Sequence, residues 1–159
     1  MAHASAPAAI PASAPGDAAD AAGRRWIFRH PLVIRLAHWI NVACLAILLM
    51  SGLQIFNAHP ALYWGAASTF DSPALAITSD QDAEGNARGI VMIGARTFET
   101  TGWLGLSKSA GVLSERAFPA WSTLPAGQDL ATGRRWHFLF AWAFVINGLI
   151  YLLYGLGSG

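Results

Sequence analysis

The sequence predicts an all-α membrane protein, with two transmembrane helices and a long extramembrane loop between them. Three observations carry that expectation. Residues 34–56 and 136–156 are nearly all apolar, and a hydrocarbon core of ~30 Å is crossed by about 20 helical residues. Over 159 residues 54% are hydrophobic and only 12% charged, and the charges keep out of the middle of both runs. Each run also carries one histidine close to its N-terminal end, His38 in the first and His137 in the second.

Residues 1–24 are rich in Ala, Pro and Ser and hold no apolar stretch behind a basic flank, so they read as a disordered tail and not as a cleaved signal peptide. Residues 25–56 form the first membrane segment with its basic flank. Arg24, Arg25, Arg29 and Arg35 crowd its start against only Asp17 and Asp20 upstream, which places the N-terminus in the cytoplasm. Arg134 and Arg135 pull the other way. The lone Cys44 lies inside the first span and reads as a packed thiol.

Residues 57–133 are expected outside the membrane, in the periplasm. Ala74 to Thr78 and Gly89 to Ile93 flank the polar stretch from Asp80 to Asn86, a pattern that suggests a hairpin with a loose turn. The remainder is expected to be irregular, with Trp103 and Trp121 resting at the interface. The chain has no internal repeat, Gly-rich phosphate loop, clustered Cys/His zinc pattern or basic patch of nucleic-acid type. His59 and Asp71 read as loop residues, so an enzyme active site carried wholly by this chain has little support. Residues 134–159 form the second membrane segment, with Asn147 as its only strongly polar residue besides His137.

An ionisable side chain at the centre of a span costs roughly 2.5 kcal/mol or more, so each histidine marks a functional site. A neutral imidazole there takes a partner, and iron is the leading candidate. In antiparallel spans the two histidines fall at opposite faces, about 20 Å apart in depth, too far to share one iron. Two separate sites follow, and two haems stacked across a bilayer would let electrons cross it. Arg35 and Arg134 each stand three residues before a histidine on the same helical face, where a guanidinium can pair with haem propionates or simply mark the membrane boundary. Gly52 and Gly148 admit either a flat macrocycle or a neighbouring helix. Trp39 and Trp136 fit an aromatic belt equally well.

The segment Arg29-His30-Pro31-Leu32-Val33-Ile34-Arg35-Leu36-Ala37-His38-Trp39-Ile40-Asn41, with Ser51-Gly52 following, resembles the first span of the bacterial nickel-hydrogenase-type cytochrome b family. Gly133-Arg134-Arg135-Trp136-His137-Phe138 resembles the opening of that family's second span. This family includes membrane subunits of hydrogenases, formate dehydrogenases and thiosulfate reductases. The resemblance implies a four-helix cytochrome with two b haems passing electrons between a quinone and a redox partner. The histidines matching His38 and His137 each ligate a different haem in it, and the second axial ligands come from the fourth span. This chain carries only two spans. It is therefore expected to be half of such a four-helix di-haem bundle, truncated or split, with a complementing half or a second copy supplying the missing ligands. His30 is a poor substitute, because Pro31 opposes a helix reaching back to it.

The expected function is thus a b-type cytochrome membrane subunit of the bacterial inner membrane, binding haem b through His38 and His137, with Arg35 and Arg134 on the propionates. Its expected partners are lipid, quinone, a redox partner subunit and the complementing half, and no nucleic acid. The alternative is a haem-free two-span anchor or assembly protein for a periplasmic enzyme, its histidines satisfied by interhelical hydrogen bonds. A transporter or channel half with the histidines in a proton path is the third reading.

Overall fold

The computed structural model describes residues 31–69, 71–109 and 111–157. The tail expected over residues 1–24, and the basic cluster of Arg24, Arg25 and Arg29 with His30, lie outside the described residues. Contacts divide the chain into residues 1–32 and 33–159.

Helix α1 (Leu32–Phe56) starts directly after Pro31, which has no amide hydrogen to continue a helix backward, and runs through Leu, Ala, Ile and Met without a proline. Helix α2 (Leu130–Gly157) is started by Asp129, whose carboxylate accepts the Thr132 amide at 3.1 Å and the Thr132 hydroxyl at 2.6 Å. At ~1.5 Å per residue both exceed the hydrocarbon thickness of a bilayer. Only 11% and 6% of their most apolar stretches are buried. A core helix of a soluble domain would be covered by its own chain; these leave their apolar flanks to an apolar surrounding.

What the helices do bury follows a seven-residue spacing. Ala37, Cys44 and Ser51 are buried on α1, with Gln54 beyond them, and Gly133 and Asn147 are buried on α2, with half-buried Phe140 midway. That spacing marks the face that each helix turns toward the other, where Asn147 reaches Ala37 and His137 reaches Ser51.

The all-α expectation is wrong. Between the helices, among the described residues, lie six strands in two antiparallel sheets: β1 (Ala61–Leu62), β2 (Leu75–Gln81), β3 (Ala87–Ile93), β4 (Arg96–Glu99), β5 (Gly105–Ser109) and β6 (Val112–Arg116). The first four form one sheet in the order β1-β2-β3-β4, and β5 and β6 form a hairpin. The suggested hairpin is present: β2 and β3 pair from Leu75↔Ile93 to Gln81↔Ala87. Asp82 organises its turn, accepting the amides of Glu84 and Asn86 at 3.1 and 2.7 Å. Gly94, at φ +55°, opens the tight turn that brings Ile93 opposite Arg96. The two sheets meet at a pair of glycines. A Cβ on Gly105, already at φ +77°, would overlap the Thr78 carbonyl, and one on Gly89 would overlap the Leu104 carbonyl. A small core of Ile77, Val91 and Ala117 is completed by Leu75, Leu104, Phe118 and, from the end of α1, Phe56.

The β domain is therefore anchored on one end of the helix pair. Phe118 donates its amide to the Asn57 side chain at 2.9 Å, and Leu124 donates to the Met50 carbonyl at 3.1 Å. The returning segment is held by Arg116, which is 5% exposed. Its guanidinium donates to the Phe118 carbonyl at 2.6 Å, the Ala126 carbonyl at 2.8 Å and the Thr123 hydroxyl at 2.8 Å. Burial lowers its pKa from the ordinary arginine value, but the directed acceptors keep the cation satisfied in place of a carboxylate.

Two outcomes follow. Arg116→Met, which keeps the bulk and removes all three donors, should destabilise the β domain by about 3 kcal/mol, measured as lost amide-exchange protection on β5, β6 and residues 117–126. Acid should loosen two exposed turns. Bonds from Asn86 hold Asp82, and bonds from Thr132 hold Asp129, below the ordinary value of 3.8. Depressed folded values mean that the stabilisation is complete above the unfolded pKa and is lost as pH falls through the folded one. Amide exchange at Glu84, Asn86 and Thr132 should accelerate below about pH 4, and Asp129→Ala should remove the acid dependence at Thr132 while leaving that at Asn86.

Candidate functional site

His38 and His137 are placed by the antiparallel helix pair. His137 is half-buried, and its Nδ1 lies 3.1 Å from the Ser51 hydroxyl, near the C-terminal end of α1. Its Cε1 would stand 3.6 Å from a Cβ on Gly52. One turn earlier on α2, Gly133 leaves room for Gln54, whose Cγ would lie 2.9 Å from a Cβ there. At the other end, Asn147 donates to the Ala37 carbonyl at 2.8 Å and to the Asn41 side chain at 2.7 Å. Asn147 is 7% exposed, so these bonds form where few competing partners exist.

The histidines are therefore not brought together. His137 stands level with Ser51, and His38 lies next to Ala37 at the Asn147 end, so about 20 Å of helix separates their levels. His38 is exposed on α1, its ring edge-on to Trp39 at 5.9 Å. Arg35 and Arg134 are both exposed, each one turn before the histidine of its own helix. His59 is exposed and lies outside this pair, its Nε2 3.1 Å from the Tyr63 hydroxyl. Cys44 is a buried free thiol in the helix seam.

The β domain caps the His137 end. Between α1, β1, β2 and Phe118 an open apolar groove of about 420 Å³ is lined by Leu49, Gly52, Phe56, Leu62 and Phe118 among others. Gly52 faces this groove, and a Cβ added to it would stand in van der Waals contact with the imidazole of His137. Gly148, on α2, has nothing within 4 Å of the place a Cβ would occupy.

The donor chemistry suits a group that brings most of its own ligands. Among the described residues no three His, Cys, Asp or Glu side chains converge to hold a bare metal ion. A haem iron already carries four porphyrin nitrogens and asks the protein for axial ligands only. Each level of this chain offers one imidazole, and the His137 level adds an apolar groove, so the residues present fit haem.

Sequence reasoning named both histidines but not the residues that hold the helices. Ser51 and Gln54 stand as polar breaks in the first span and Ser51 also belongs to the segment that carries the cytochrome b resemblance, but nothing local in the sequence couples Ser51 to His137.

A protein of Azospira oryzae that carries the name protein-methionine-sulfoxide reductase subunit YedZ1 is 26% identical to this chain over 130 residues. This chain is similar to a reductase subunit. The match takes in 82% of this chain and 38% of that protein. No protein-family model matches the chain, and no solved structure matches it.

The Asn147 clasp gives a direct test of the helix pairing. Asn147→Leu should weaken the association of α1 and α2 by about 1 kcal/mol, measured by unfolding of the full chain in mixed micelles, and Asn147→Leu in an Asn41→Ala background should cost less than in the wild type.

Proposed function

We propose that this chain is a haem-b-binding membrane subunit that relays electrons between a quinone pool and a redox partner enzyme across the bacterial inner membrane. His38 and His137 act as axial ligands to two different haems, and Arg35 and Arg134 pair with their propionates. The observation that supports this reading most is the arrangement of single imidazoles at opposite ends of an antiparallel pair of apolar helices. Depth alone forbids a shared iron.

Bound haem would supply the one-electron chemistry. The chain's own residues ligate, orient and exclude water. Gly52 and the apolar groove offer room for a flat ring beside His137. The second axial ligand at each level comes from a further helical segment or from a second copy, which would also cover the exposed apolar flanks of α1 and α2. The likeness to nickel-hydrogenase-type cytochromes and to a protein named as a reductase subunit supports a place in a multi-subunit oxidoreductase. Both helices cross the membrane in this reading, with the N-terminus cytoplasmic and the β domain periplasmic, which puts His38 at the inner level and His137 at the outer one.

The expected outcome is a reduced-minus-oxidised spectrum of low-spin b haem from the folded protein assembled with its partner. His38→Ala should remove one haem and His137→Ala the other, each variant keeping the remaining one. A folded, inserted and assembled preparation without colour would leave the haem-free anchor as the better reading.

A further inference from the structure

Ser51 is fully buried, and its hydroxyl has three neighbours: the Ile47 carbonyl at 2.7 Å, the Leu48 carbonyl at 3.2 Å and Nδ1 of His137 at 3.1 Å. A serine hydroxyl has one hydrogen and two lone pairs. Two of the three neighbours are carbonyl oxygens, which can only accept. A helical serine ordinarily returns its hydrogen to the carbonyl four residues back, and the 2.7 Å distance to Ile47 is the shortest of the three. With that hydrogen committed, Ser51 faces His137 with a lone pair. The imidazole must then be the donor, through Nδ1–H.

We infer that Ser51 is a positioning residue that fixes His137 as its Nδ1–H tautomer and so keeps Nε2 as the nitrogen with a free lone pair. The opposite tautomer would need the Ser51 hydrogen to leave Ile47 for Nδ1, giving up the shorter bond of a hydroxyl that is shut off from solvent. Burial is what makes the choice firm: at an exposed serine, solvent would satisfy either arrangement. The consequence for ligation rests on the reading of His137 as an axial ligand. There, a hydrogen bond accepted from the far ring nitrogen fixes the ring's rotation and raises its basicity. Ser51 would thereby favour the oxidised state of the iron at this level and leave the His38 level untouched.

The test uses the full chain, first without haem. Nitrogen NMR of the ¹⁵N-histidine-labelled protein in micelles at about pH 8.5, on the basic side of imidazole titration, should show a protonated Nδ1 and an unprotonated Nε2 for His137. Ser51→Ala should lose that preference, and Ser51→Thr, which keeps the hydroxyl, should restore it. In the haem-loaded protein, Ser51→Ala should raise the midpoint potential of the haem that His137→Ala removes, with no shift at the other. An Nε2–H His137 in the wild type, or an Nδ1–H tautomer that survives Ser51→Ala, overturns the inference. The expected tautomer in a protein that never takes up haem leaves the Ser51 assignment standing and removes only the cofactor reading.

Discussion

Everything in this structure depends on how two almost uniformly apolar helices recognise each other. In an apolar surrounding, leucine gains nothing by leaving one hydrocarbon neighbour for another, so pairing rests on close backbone approach and on hydrogen bonds that have no water to compete with. The chain relies on the hydrogen bonds. Ala37, Cys44 and Ser51 form a narrow seam on α1, Gly133 opens the facing helix, and two polar clasps fix the register. Asn147 binds Ala37 and Asn41 at one end, and His137 meets Ser51 at the other. With both ends pinned, the pair is antiparallel, and the depth of each histidine is set.

The same register positions the β domain. Phe56 leaves the end of α1 and enters the core of Ile77, Val91 and Ala117, while residues 116–126 fold back to bond Met50 and Asn57. Arg116 holds that return by bonding backbone carbonyls, so a single buried cation replaces the hydrophobic mass that so small a core lacks. The domain thus rides on the His137 end of the helix pair. Any partner that meets the β domain meets the His137 side first.

How much of this was legible in the sequence depended on the length of each signal. Hydropathy over 20 residues gave both helices, and the histidines stood out against it. Antiparallel pairing followed from topology, and with it the separation of His38 and His137. The seam did not, because when most of a helix is apolar the buried side carries little contrast, and the polar breaks at Ser51, Gln54 and Asn147 do not say which residues they meet. The hairpin of β2 and β3 was readable because apolar runs flank a polar turn. The other strands were not: they are two to five residues long, too short for a clean alternation, and their joins depend on glycines such as Gly94 and Gly105 that read as loop. Arg116 gave no signal, since its acceptors are mostly backbone carbonyls that any sequence possesses. The Ser51 and His137 contact joins residues 86 apart in the chain and is visible only in three dimensions.

A spin-label distance tests the opposed placement of the two histidines most directly. Nitroxides at Trp39→Cys and Trp136→Cys, in the full chain with Cys44 replaced by Ala and diluted with unlabelled protein in bilayers, sit beside the histidines without replacing them. The register described here puts Trp136 nearly level with Gly52, so pulsed dipolar spectroscopy should give a separation of about 20 Å or more. Strong dipolar broadening from labels closer than about 12 Å would place both histidines at one level, and the antiparallel pair with its two independent sites would be wrong.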